Sequence, residues 1–318
     1  MTTDPDALSF APVAPTHPPR SFIARHAFAL LIIGFLFSAF SPIFVRLAET
    51  GPISTAAGRM LLPLPFFLVL LWLRRGDRLP TATQTGRHDF WLVVLSGVFF
   101  AGDLFLWNSS IMMTTVAKAS VLANITPVFV VLGAWLLFKE RPRWLFVVGT
   151  AVALGGSVLI MREGLIVAGG EARGVLAGDL SAMGAAAFYS GYVLTLSRVR
   201  KRASIVATMA IGGATAGAIL FGLAWALEDQ MWPRTTEGWL THLGMVLFVQ
   251  IGGHMLIAMS LAHVSAGLVA TLFLAQPLIP GLVAWILFGE AVTAPQAIGA
   301  IALLAGLEIS RRGTPTSD

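Results

Sequence analysis

The chain is 318 residues long, 56% hydrophobic and only 12% charged, with a formal net charge of +5. A soluble domain carries about a quarter charged residues, so this composition cannot cover a water-facing surface and points to a membrane-embedded protein. There is no cysteine, which excludes a disulfide framework, a thiolate metal site and a cysteine nucleophile.

The first residues, "MTTDPDALSFAPVAPTHPPR", are rich in Pro, Ala and Thr. They lack an apolar stretch behind a basic start, so they read as a disordered tail (1–25) rather than a cleaved signal peptide. Apolar runs of about 20 residues mark spanning helices. Ten follow in order, over 26–48, 54–74, 89–111, 115–138, 143–161, 174–198, 203–227, 237–262, 265–288 and 294–311, and a short tail (312–318) closes the chain. The connections are short, so no extramembrane domain of any size fits between them.

Lys and Arg set the expected orientation. With the N-terminus in the cytoplasm, that side receives Arg20 and Arg25, then Arg74, Arg75, Arg78 and Arg87, then Lys139, Arg141 and Arg143, then Arg198, Arg200, Lys201 and Arg202, then Arg311 and Arg312. The other side receives only Arg46, Arg162, Arg173 and Arg234. Both termini are therefore expected in the cytoplasm of a bacterial inner-membrane protein. The basic balance is a topology signal and implies no nucleic-acid partner.

A shift of 150 residues lays the chain on itself, without a gap from about 114 to 160 and with corresponding span lengths upstream. Pro127 falls on Pro277, Ala134-Trp135 on Ala284-Trp285, Glu140 on Glu290, Gly149 on Gly299 and Gly156 on Gly306. Two copies of five helices result, over 26–161 and 174–311. Because five is odd, the second copy enters the membrane from the opposite side. The expected fold is an all-α membrane protein of ten transmembrane helices built as two inverted five-helix repeats. Such repeats are a common plan of secondary transporters, with the substrate site near the midplane between the halves. In this frame Glu140 and Glu290 end equivalent helices on opposite faces and are boundary residues, not a carboxylate pair.

The strings "NITP" (124–127), "GAWLLFKE" (133–140) and "GTAVALGGSVLI" (149–160), with "LAQPLIPGLVAWILFGE" (274–290) and "GAIALLAGLEI" (299–309) in the second copy, resemble the EamA domain of the drug/metabolite transporter superfamily. The resemblance covers about residues 26–312. It implies a central cavity lined mainly by helices 1, 3, 4, 6, 8 and 9, with helices 5 and 10 peripheral. It also implies transport of small metabolites, and the size of the chain is similar to that of bacterial exporters of amino acids, including aromatic ones. One departure stands out: Asn124 has Leu274 as its counterpart, so the Asn-Pro pair occurs once.

Ionisable groups inside spans are costly, by about 3 kcal/mol on insertion scales, and mark function by default. Asp103 lies near the middle of the third span, with Trp107 one turn on along the same face. Asp103 either faces a substrate ammonium or an exchanged proton, or is paired with Lys118 across the hairpin; Trp107 offers an aromatic face. His254 sits in the eighth span with Gln250 a turn earlier, and the repeat places it on Leu104, beside Asp103. It either titrates during transport or hydrogen-bonds between helices. Tyr189, the deeper of the two tyrosines of the sixth span, and Asn124 and Gln276, beside the helix-breaking Pro127 and Pro277, complete the expected substrate-binding set. Arg59 sits about a turn inside the second span and reads as a snorkelling residue, the alternative being a pair with a substrate carboxylate.

No GxxxxGK[ST], HExxH or GxSxG string occurs, so neither nucleotide-driven pumping nor catalysis is expected, and no cofactor or metal is implied. The expected function is secondary transport exporting amino acids or related small metabolites through a midplane cavity, with a small-molecule substrate and the lipid bilayer as partners. A drug or nucleotide-metabolite carrier of the same fold is the alternative, and a membrane enzyme or scaffold a more distant one.

Overall fold

A computed structural model describes residues 22–73, 84–113, 116–139, 141–168, 175–200, 202–276, 278 and 293–313. They are helical throughout, joined by short turns. α1 comprises Phe22–Ser38 and Ser41–Leu47, α2 Pro52–Leu61 and Leu64–Leu73, α3 Gln84–Met113, α4 Val116–Ala123 and Thr126–Phe138, and α5 Trp144–Ala168. The second half repeats the pattern: α6 (Val175–Val199), α7 (Ile205–Leu227), α8 (Thr236–Ser260), α9 (Ala266–Leu272, continued by a 3₁₀ turn over Phe273–Ala275) and α10 (Ala294–Gly313). Seven of these stretches are long and apolar enough to cross a membrane.

Several spans expected to be continuous are broken, and proline explains three of the breaks. α1 is interrupted ahead of Pro42, α2 around Pro63 and α4 ahead of Pro127. Proline lacks a backbone donor and clashes with the preceding turn, so a helix restarts with the ring in its first turn. α3 and α5 outrun their expected ends because the helix continues through polar residues where hydropathy falls. Within α8, Met245–Met255 is wound as a π-helix, a rare winding concentrated at functional sites. The boundary residues Glu140 and Glu290 lie outside the described residues.

The packing obeys the inverted symmetry. The pairs α5–α10, α2–α7, α3–α6 and α1–α8 are all extensive. Exchanging the halves maps α5–α10 and α2–α7 onto themselves and α3–α6 onto α1–α8. The α5–α10 pair is glycine-to-glycine. A Cβ built on Gly149 would meet the Gly306 carbonyl at 2.7 Å, and one on Gly156 the Gly299 carbonyl at 2.6 Å. Small residues let these backbones touch. Polarity is inside-out: Trp72, Trp144 and Trp225 are exposed, whereas Arg59, Asn124, Gln250 and His254 are buried. This is the arrangement a hydrocarbon surround selects.

Two carboxylates clasp the halves at the face bearing the α1–α2 and α7–α8 turns. Glu49 accepts from the Thr235 hydroxyl at 2.8 Å and from the Arg234 and Thr235 backbone amides at 3.1 Å each. Glu228 accepts from the amides of Ile53 (2.8 Å) and Ser54 (2.7 Å) at the start of α2, where the helix leaves orphan donors and favours negative charge. Beneath them His242 meets the Gly238 carbonyl through Nδ1 (3.1 Å) and the Thr50 hydroxyl through Nε2 (3.4 Å).

The Thr235 hydroxyl, followed by the backbone amides, holds the Glu49 carboxyl below the usual glutamate range. A depressed carboxyl contributes stability above its unfolded pKa and loses it as pH falls through the folded one. Acidification from pH 6 to below the ordinary glutamate range is therefore expected to loosen the clasp. A thermal-denaturation series across that window in detergent should show a wild-type acid dependence that Glu49→Gln reduces.

Candidate functional site

The irregular backbone of α1, α4, α8 and α9 gathers around one cavity, and each of these four sets polar groups beside interrupted backbone. Ser38 and Ser41 flank the break in α1, Asn124 ends the first piece of α4, Gln250 and His254 lie on the π segment of α8, and Gln276 follows the 3₁₀ turn of α9. Irregular backbone at membrane depth is tolerated where it is buried in protein or lines a cavity. A cavity of about 450 Å³ lies there, and its walls include Arg59, Asp103, Trp107, Asn124, Tyr189, His254, Phe273 and Gln276.

The cavity runs from this level toward the clasped face, where Arg46, Met161 and Gln296 line its upper part. Below it, aromatic rings touch in series. Phe35 meets Phe273 edge-on at 4.7 Å, Phe273 meets Tyr189 at 4.3 Å, Tyr189 meets Tyr192 at 5.6 Å, and Tyr192 stacks on Phe100 at 4.4 Å. At the opposite face Arg200 Nε donates to the Ala258 carbonyl at 3.0 Å, Arg202 approaches Asp89 at 3.6 Å, and Arg198 lies 3.6 Å above the Phe138 ring. The cavity thus reaches toward one face and has an aromatic floor toward the other.

Of the residues expected from sequence, Asp103, Trp107, Asn124, Tyr189, His254 and Gln276 line this cavity, and Gln250 does not. Gln250 stands behind it, with Oε1 accepting from Arg59 Nε at 3.2 Å. Asn124 donates to Ser157 at 2.5 Å, which fixes its amide against α5. Trp107 also packs beside Val45, Ile111, Met245 and Val249. The Lys118 side chain, the sequence-level partner for Asp103, lies outside the described residues. Most of the lining comes from the expected helices, to which α2 adds Arg59, α5 adds Ile160 and Met161, and α10 adds Gln296.

Arg59 is the residue the sequence reading misplaced. It does not snorkel; it is 3% exposed. Nη1 donates to the Ser41 hydroxyl at 3.4 Å, and Nη2 meets His254 Nδ1 at 2.9 Å. Its guanidinium also lies 5.7 Å from the Phe100 ring centroid. A guanidinium only donates, so the His254 nitrogen facing it is an unprotonated acceptor. Nε2 also lies 3.3 Å from Nη2, so it can accept from Arg59 while Nδ1–H donates to the Val249 carbonyl 3.1 Å away. A signal was present in the sequence: Arg59 ends "ISTAAGR", a run of mostly small residues that is buried without interruption. Such a helix is enclosed on all sides and leaves a long side chain no route to water.

The comparisons with known proteins agree with this architecture. An uncharacterized transporter of Bacillus subtilis (strain 168), YwfM, is 28% identical over 258 residues, covering 80% of this chain and 83% of its own. A solved structure described only as "Crystal structure of protein" aligns with a TM-score of 0.72 at 19% identity, over 90% of this chain and 97% of that one. That second likeness concerns the fold alone. The sequence profile of the EamA-like transporter family matches residues 26–162 and again 176–311. With two matched copies on either side of one cavity, the chain belongs to the EamA-like transporter family.

Proposed function

We propose that the protein is a secondary transporter that exports amino acids or related small metabolites across the bacterial inner membrane by alternating access. The observation that carries this reading is the cavity, closed toward one face and drawing its polar walls from both inverted copies. Asp103 comes from the first copy and His254 from the second, at neighbouring positions of the repeat, and both face the same space. The aromatic floor and the Arg200 contacts form the closed gate in this reading, and the opposite state opens them while closing the clasped side. The Lys and Arg distribution puts the floor toward the cytoplasm. The open side then faces outward, and both termini are cytoplasmic.

Radiolabelled uptake into proteoliposomes with a panel of amino acids, competed by drugs and nucleosides, tests the reading. Saturable amino-acid flux is the expected result. Flux competed only by drugs or nucleosides would move the substrate to that class, and no flux of any solute would sink the proposal. Asp103→Asn is expected to remove the pH dependence of uptake, because the amide cannot exchange a proton. An unchanged pH profile in that variant would take Asp103 out of the coupling role.

A further inference from the structure

Arg59 is a buried cation whose immediate partners are all neutral. Buried charges are normally paired, yet no ion pair to Arg59 within 4.0 Å occurs among the described residues. Its hydrogen-bond partners are the amide of Gln250, the hydroxyl of Ser41 and the ring of His254. They hold the guanidinium through one hydrogen on each nitrogen and leave a second hydrogen on each terminal nitrogen. Tyr189 gives an independent sign of an absent ligand on the same wall. It is 5% exposed, and its buried hydroxyl has no hydrogen-bond partner among the described residues. Buried polar atoms are rarely left this way unless something outside the chain satisfies them.

We propose that Arg59 is the anion-recognising residue of the cavity, and that the substrate presents a carboxylate to its guanidinium with the Tyr189 hydroxyl as a second donor. This deepens the transport reading above and rests on the cavity being the substrate site. A carboxylate matches the planar fork of a guanidinium and supplies the direct ion pair that Asp103, which acts on Arg59 across the cavity without touching it, does not. Gln250, Ser41 and His254 are positioning residues, because they orient the fork without competing for it as a carboxylate would. Asp103 on the same cavity wall disfavours a more highly charged anion and complements an ammonium. A zwitterion with an apolar body against Trp107 and Phe273 fits these walls best.

The test is equilibrium binding to the full chain in nanodiscs, read by tryptophan fluorescence or calorimetry. The ligands are L-phenylalanine, phenethylamine and 3-phenylpropionate. In the wild type, phenethylamine, which lacks the carboxylate, is expected to bind at least about tenfold more weakly than L-phenylalanine, and 3-phenylpropionate to retain binding. Arg59→Gln should abolish the difference between L-phenylalanine and phenethylamine, and Arg59→Lys should keep part of it. Phenethylamine binding as tightly as L-phenylalanine overturns the proposal, as does a carboxylate preference surviving in Arg59→Gln. Failure of both carboxylates to bind the wild type overturns it too. The wild-type series needs no variant, so a poorly folded Arg59→Gln cannot mask the answer. Carboxylate binding through Arg59 without amino-acid flux would refute the transport reading alone. Amino-acid flux without the carboxylate preference would refute this inference alone.

Discussion

Replacing Gly306 with valine is expected to abolish most of the monodisperse protein recovered from the membrane, whereas valine at Gly155 is expected to leave it intact. A Cβ at Gly306 would sit 2.6 Å from the Gly149 carbonyl oxygen, and one at Gly299 would sit 2.8 Å from the Gly156 oxygen. The colliding atoms are backbone, so no rotamer change relieves them and the helices must separate. Overpacking typically costs about 1–3 kcal/mol where side chains can adjust. Here separation would also stretch the 3.3 Å hydrogen bonds that Thr150 makes to Ser310 and Thr271. At Gly155 a Cβ meets nothing within 4 Å, and the position is exposed on the outer side of α5. Fluorescence-detected gel filtration and a thermal midpoint on both variants measure the contrast. Equal behaviour of the two would refute the close-contact argument.

His254→Leu is expected to destabilise the protein by about 2–3 kcal/mol, the cost of leaving a charged buried donor without its acceptor. The burial of the side chain is not the issue, since leucine is similar in size and more apolar than imidazole. The issue is the Arg59 guanidinium, whose Nη2 meets His254 at 2.9 Å. Removing both partners should cost less than the sum of the single changes. A double-mutant cycle with Arg59→Met, followed by thermal or denaturant unfolding in detergent, is therefore expected to show a favourable coupling energy. Additive losses would mean that His254 stabilises α8 without acting on Arg59.

The spans and their inverted arrangement were legible in the sequence because both depend on simple quantities, the length of apolar runs and a single offset. The breaks at Pro42 and Pro63 were also written in the sequence, but hydropathy runs straight through them. The π winding around Gln250 and His254 had no readable signal, since it depends on how α8 packs rather than on residue type. Asp103, Asn124, Tyr189, His254 and Gln276 were found because a polar residue inside an apolar run is conspicuous. Gln250 was found for the same reason, but its place behind Arg59 depends on helix rotation, which a residue count does not give. Arg59 was missed because distance from the span end was used as a proxy for access to water. The small side chains around it, from Ser54 to Gly58, carried the contrary information.

The glycines of α5 and α10 pair crosswise about the pseudo-twofold axis, Gly149 with Gly306 and Gly156 with Gly299, as in two identical five-helix chains inserted in opposite senses. In such a pair every substitution appears twice, so a change that suits one side of the cavity is forced on the other. Fusion into a single polypeptide removes that constraint. Asp103 can then stand opposite a repeat position held by Gly253, and Asn124 opposite Leu274. Joining the copies allows a lopsided chamber inside a symmetric frame, and a lopsided chamber can tell one end of a small molecule from the other.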